Sequence, residues 1–157
     1  MGSYDLMKER LLEKISLGFK TIKIKIGAID FAQELDLIKK IRSDFSAEDI
    51  TIRVDANGAF DKSNVYQVLD ELSKLQIHSI EQPVAKEQYA LMHELCCSNI
   101  IPIALDEELI SLNDIAQKDS MLDAIRPQYI ILKPSLHGGI RGAQEWILLA
   151  KKYGISY

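Results

Sequence analysis

The feature that most restricts what this chain can fold into is a rhythm. Short β-branched runs recur at Thr21–Ile26, Ile50–Val54, Ile77–Ile80, Ile101–Leu105 and Tyr129–Leu132, and between them lie stretches with helical spacing. Helices are expected at about Leu6–Leu17, Asp30–Asp44, Ser63–Leu75, Lys86–Cys97, Ser111–Lys118 and Gly142–Tyr153. Sets such as Phe31, Leu35, Ile38 and Ile41, or Val65, Val68, Leu69 and Leu72, would each form one buried helical face. Alternating β and α elements imply parallel strands joined by right-handed crossovers. Two architectures satisfy that rule: an open doubly wound sheet and a closed (β/α) barrel. With 157 residues the chain is shorter than a full barrel, which typically needs about 250.

The ends of the strands decide between them. Asp55, Glu81, Asp106 and Lys133 each follow a strand, at intervals of 26, 25 and 27 residues, about one βα unit apiece. Consecutive parallel strands thus deliver ionisable groups to one edge, the carboxyl edge where α/β enzymes place their chemistry. In a barrel these strand ends converge. Three carboxylates meeting there would repel one another, and a hard divalent cation, Mg²⁺, relieves that repulsion while leaving positions for substrate oxygens.

The first strand reads Thr21-Ile22-Lys23-Ile24-Lys25-Ile26-Gly27. Its period of two puts both lysines on one face and the isoleucines on the other. In a barrel the lysine face looks inward, so Lys23 and Lys25 approach the carboxylates from one side and Lys133 from the other. An amine beside another cation and a polarising metal can serve as a base near neutral pH. The reaction class that follows is proton abstraction α to a carboxylate. Lys25 lies nearer the strand's carboxyl end than Lys23 and is the better placed of the two.

Taken together, Lys-x-Lys, Asp-Ala-Asn, Glu-Gln-Pro, Asp-Glu and Lys-Pro, in this order and spacing, resemble the barrel domain of the enolase superfamily in its muconate-lactonising branch. Within the branch, "IEQP", "ALDEEL" and "ILKPSLHGGIRGAQEW" most resemble the o-succinylbenzoate synthase family. The resemblance runs from about Leu6 to Tyr157. It implies an α/β fold, a partial (β/α) TIM-type barrel spanning residues 1–157 and corresponding to about strands two to seven of the family barrel. It implies Mg²⁺ held by Asp55, Glu81 and Asp106, Lys25 as the acid/base, Lys133 stabilising the enolate from the opposite face, Lys23 tuning Lys25, and Asn57 beside the metal. The reaction implied is syn dehydration of a cyclohexadiene carboxylate, with dipeptide epimerisation, N-acylamino-acid racemisation and muconate cycloisomerisation as alternatives in the same branch. Gly138-Gly139 either offers backbone N–H groups to a substrate carboxylate or forms a turn. Glu108 stands where many relatives carry serine. The family's capping domain and its first and last barrel strands have no counterpart here, so the chain is expected to be inactive alone and to self-associate through open sheet edges.

Other classes are less well matched. A net charge of −4 with no basic cluster opposes nucleic-acid binding, and no apolar run approaches the roughly 18 residues needed to span a bilayer. A small-molecule carboxylate is the expected partner and the cytoplasm the expected location. Cys96 and Cys97 are adjacent and have no further cysteine to pair with, and His78, His93 and His137 lack ligand spacing, so zinc is not expected. His137 is expected to be a loop residue. A receiver-like α/β domain would also carry strand-end acids and a lysine, but its acids would pair at the end of the first strand, where this chain has lysines. A nucleotide-binding module would show a glycine-rich loop there, and Gly27-Ala28-Ile29-Asp30 is not one.

Overall fold

The computed structural model describes residues 4–157. Met1–Ser3, the first residues of the expected domain, lie outside them. Six helices alternate with five strands: α1 Tyr4–Ser16, β1 Thr21–Lys25, α2 Phe31–Asp44, β2 Thr51–Asp55, α3 Val65–Ser73, β3 Ser79–Glu81, α4 Tyr89–Ser98, β4 Ile103–Leu105, α5 Ile115–Ile125, β5 Tyr129–Ile130 and α6 Gly139–Tyr153. All strands are parallel, and their order in the sheet is their order in the chain. A doubly wound sheet reverses direction at a switch point. Sequential order without reversal is that of a barrel wall, and the open-sheet alternative is excluded. An isolated parallel bridge joins Tyr129 to Ser156 in the "GISY" segment.

The core lies between the sheet and its helices. Ile22, Ile24, Ile52, Val54, Ile80, Ile103 and Leu105 face outward and are buried against helical residues such as Ile38, Leu69, Leu72, Leu95 and Leu122. Burying each such side chain contributes about 1.5–3 kcal/mol. The opposite, concave face carries Lys23, Arg53, Ser79, Ala104 and Tyr129 around a cavity of about 300 Å³. The alternation of β1 therefore resolves as expected, with isoleucines against helices and lysines on the inner face.

Polar groups fix the joins. Asp30 caps α2 by accepting the Ala32 N–H at 2.9 Å. At the other end of α2, the Arg42 guanidinium donates to the carbonyls of Ile50 (2.7 Å) and Leu75 (2.8 Å), tying α2 to the start of β2 and the end of α3. Helix α5 differs from expectation, beginning at Ile115 rather than Ser111 and running to Ile125 rather than Lys118. Asp114 is its cap, accepting the Ala116 and Gln117 N–H groups, so Ser111–Asn113 belong to the preceding loop. Lys118, which looked terminal, is buried within the helix and paired with Glu145 of α6 at 2.8 Å. Helix α6 begins three residues earlier than its apolar pattern suggested.

Candidate active site

The strand register places Lys25, Asp55 and Glu81 side by side, since Lys25 pairs with Asp55 and Asp55 with Glu81. Asp106 follows β4 and Lys133 follows β5. The three carboxylates are almost wholly buried: side-chain exposure is 3% for Asp55, 6% for Glu81 and 3% for Asp106. Charges are not buried at that depth without partners, and the partners here are the predicted lysines. Lys23 Nζ bridges Asp55 Oδ2 (2.9 Å) and Glu81 Oε2 (2.7 Å), Lys25 Nζ stands 3.4 Å from the same Asp55 oxygen, and Lys133 Nζ pairs with Asp106 Oδ2.

The titration shifts reflect this crowding. Burial works against the Lys23 charge, but hydrogen bonds and attraction from Glu81 and Asp55 outweigh it and hold its pKa above the usual lysine value. Glu81 is pushed above the usual carboxylate value, first by burial and then by the neighbouring Asp55 charge and contact with Asp106, despite the Lys23 hydrogen bond.

The donor set suits a hard cation. Glu81 Oε1 and Asp106 Oδ1 are buried with no hydrogen-bond partner, although each can accept, and a buried orphan acceptor costs about 1–3 kcal/mol. Oxygen-only ligands with free acceptor capacity match Mg²⁺ rather than zinc. Among the described residues no three such side chains already converge closely enough to form a metal site. The carboxylates turn instead toward Lys23 and Lys133, so lysine charge takes up the repulsion that a cation would relieve.

Around this centre the loops are held by side chains that periodicity does not reveal. The buried Glu34 carboxylate of α2 accepts the N–H groups of Gly27 (2.7 Å), Ala28 (3.2 Å) and Ile29 (3.3 Å), in the loop that starts just beyond Lys25. Gly27 has φ +84°, and a Cβ there would lie 2.3 Å from the Ala59 Cβ, so only glycine fits. The buried Gln82 donates to the Val84 carbonyl and accepts the Asp106 and Glu108 N–H groups, linking the ends of β3 and β4. Glu108 is buried and accepts the Glu87 N–H, a structural role.

Asn57 lies beside Asp55, with its N–H on Asp55 Oδ1 at 3.2 Å, and its side-chain Oδ1 accepts from Lys25 Nζ. Gly138 takes the left-handed conformation before α6 and lines a separate pocket of about 250 Å³ with Lys118, His137 and Arg141. His137 is no ordinary loop residue: it is buried, its Nδ1 accepts the Lys133 N–H, and its ring meets Trp146 edge-on at 6.3 Å.

Sequential parallel strands with acids and lysines at their carboxyl ends define part of a (β/α)-barrel domain. The chain belongs to the Enolase C-terminal domain-like family, which matches residues 6–157. Among curated proteins it is 50% identical to an o-succinylbenzoate synthase of Desulfotalea psychrophila, over all of this chain and 42% of the relative. An L-Ala-D/L-Glu epimerase of Francisella tularensis subsp. novicida is 34% identical over 98% of this chain and 42% of its own length. The crystal structure of MenC from Desulfotalea psychrophila superposes with a TM-score of 0.90 at 49% identity, covering 99% of this chain and 43% of that one. Muconate lactonizing enzyme from Pseudomonas putida shares the fold, with a TM-score of 0.84 at 22% identity over 98% of this chain and 42% of that one. The chain thus spans about two fifths of the length of the relatives it matches.

Proposed function

We propose that the protein carrying this chain is a Mg²⁺-dependent o-succinylbenzoate synthase. It would dehydrate 2-succinyl-6-hydroxy-2,4-cyclohexadiene-1-carboxylate to 2-succinylbenzoate, a step of menaquinone biosynthesis in the cytoplasm. The carrying observation is a pair of opposed lysines, Lys25 and Lys133, flanking buried carboxylates of which two keep an unpartnered oxygen. Half-identity to a synthase across the whole chain supports the choice of reaction.

Asp55, Glu81 and Asp106 would hold Mg²⁺, which would supply Lewis-acid stabilisation of the charge that develops on the substrate carboxylate. Lys25 reaches the site from the β1 side and takes the proton α to that carboxylate. The hydroxyl must leave as water, and Lys25, now protonated on the same face, donates the proton that makes it one; elimination is therefore syn. Lys133 presents its ammonium from the β5 side, where it offsets negative charge without exchanging a proton. Lys23 holds Asp55 and Glu81 in place, leaving Lys25 only loosely engaged by Asp55.

The 34% identity to an epimerase makes dipeptide epimerisation the second reading, because it uses the same α-proton abstraction with a lysine on each face. Assay of the full-length protein separates the two. Formation of 2-succinylbenzoate that stops with EDTA and returns with Mg²⁺ is expected, and epimerisation of a dipeptide panel without synthase activity would reject the proposal.

A further inference from the structure

Lys25 is a long side chain, 56% exposed, and its contact with Asp55 is loose at 3.4 Å. Its one short contact is with a neutral group: Nζ donates to Asn57 Oδ1 at 2.5 Å. On its other side the same amide donates from Nδ2 to Glu107 Oε1 at 2.8 Å. We infer that Glu107, acting through the Asn57 amide, is a positioning residue that fixes the direction of the Lys25 amine. The inference rests on the reading of Lys25 as the base.

The argument is one of hydrogen-bond sign. A lysine ammonium only donates and an ionised carboxylate only accepts, so a bridging amide has one satisfactory orientation. Its oxygen must face Lys25 and its nitrogen Glu107. The flipped amide would set donor against donor and acceptor against acceptor. Glu107 thereby keeps Asn57 from presenting N–H to Lys25, where it would compete with substrate for the amine lone pair. With Oδ1 taking one N–H, the lone pair of the free amine is left for the α-proton.

Both supports are anchored. Asn57 sits at φ +46°, a conformation asparagine tolerates better than most residues, and its N–H is held by Asp55. Gly58 next to it donates to the Gln82 carbonyl at 2.7 Å. Glu107 begins a short 3-10 turn, Glu107–Leu109, flanked by the Asp106 and Glu108 N–H groups that Gln82 accepts. Its second oxygen, Oε2, is buried without a partner, so the carboxylate is not spent on another structural bond.

The test is a double-mutant cycle in the full-length protein. Glu107→Ala is expected to lower kcat roughly tenfold, the scale of a misdirected reacting group, with KM within about twofold. Asn57→Ala should cost about as much, and the double variant no more than Asn57→Ala alone, because the two act in series. Glu107→Gln, which keeps a carbonyl acceptor, should recover most of the loss. Additive losses, or an effect confined to KM, would overturn the inference. A second arm does not depend on activity: the Asn57 side-chain amide resonances in ¹H–¹⁵N spectra should move on both Lys25→Met and Glu107→Ala, and resonances indifferent to either change would overturn it. Should the protein prove not to abstract an α-proton, the functional reading fails while the spectra still decide whether Glu107 orients the amide beside Lys25.

Discussion

Replacing Glu34 by alanine tests whether the loop behind Lys25 is held by one buried carboxylate. Glu34 is 1% exposed and accepts three backbone N–H groups, from Gly27, Ala28 and Ile29. Hydrogen bonds to a charged acceptor contribute about 1.5–3 kcal/mol each when both partners are dry. Gly27 and Ala28 are exposed residues, so two of the three N–H groups would find water in the variant. That leaves the full cost for roughly one bond, plus about 0.3–1 kcal/mol for losing an acid in the first turn of α2, together about 2–4 kcal/mol. For a chain of this size each kcal/mol moves Tm by about 2–4 °C, so a drop of roughly 4–16 °C is expected. Glu34→Gln, which retains one carbonyl oxygen, should lose about half as much. Thermal melts followed by circular dichroism give the numbers, and hydrogen exchange at residues 27–29 should accelerate in step. A shift under about 2 °C for Glu34→Ala would refute the reasoning, because it would mean the loop is set by backbone geometry alone.

Three other outcomes follow from the same structure. His78 titrates below the usual histidine value, first from burial and then from the nearby Arg53 charge, so the folded state binds its proton less readily than the unfolded chain. Its contribution to stability is therefore complete above the unfolded pKa and is lost as pH falls from there through the lower folded pKa, and His78→Gln should show a smaller drop in Tm between pH 7.5 and 5.5, about one unit either side of the unperturbed value. Burial pushes the Cys96 thiol up to about 12 while Cys97 is exposed, so a disulfide reagent should label one thiol in the native protein and two in denaturant; two native equivalents would contradict the placement of Cys96. Among the described residues β1 pairs only with β2, and an apolar groove of about 350 Å³ lined by Met7, Leu11, Ile22 and Ile24 runs along it, so the 157-residue chain alone should elute as an associated species in size-exclusion chromatography with light scattering, not as a monomer.

Much of the architecture was legible because it is local. The β-branched alternation of Thr21–Ile26 marks both a strand and its inner face, and regular spacing of Asp55, Glu81, Asp106 and Lys133 carries them to one edge. What escaped depends on contacts across the chain. Nothing near His137 in sequence announces that its ring would be buried against Trp146 and accept the Lys133 N–H. Glu34 reads as an ordinary polar position of an amphipathic helix, yet it folds back on the preceding loop. Helix α5 begins at Ile115 rather than Ser111 because the Asp114 side chain caps it, accepting the Ala116 and Gln117 N–H groups. Lys23 and Lys25 were read as a tuning pair, and the register adds that both lean on the same Asp55 oxygen, with Lys23 committed to two carboxylates and Lys25 left free to turn toward Asn57.

The central claim is that Lys25 and Lys133 act from opposite sides of one carboxylate cluster, the first by moving a proton and the second by charge. Turnover of the cyclohexadiene carboxylate by the full-length protein, measured for Lys25→Ala with folding verified by circular dichroism, tests it most directly. The account predicts a loss of roughly 10²–10⁴-fold, the span of general acid–base catalysis. A variant retaining activity within tenfold of the parent would contradict it.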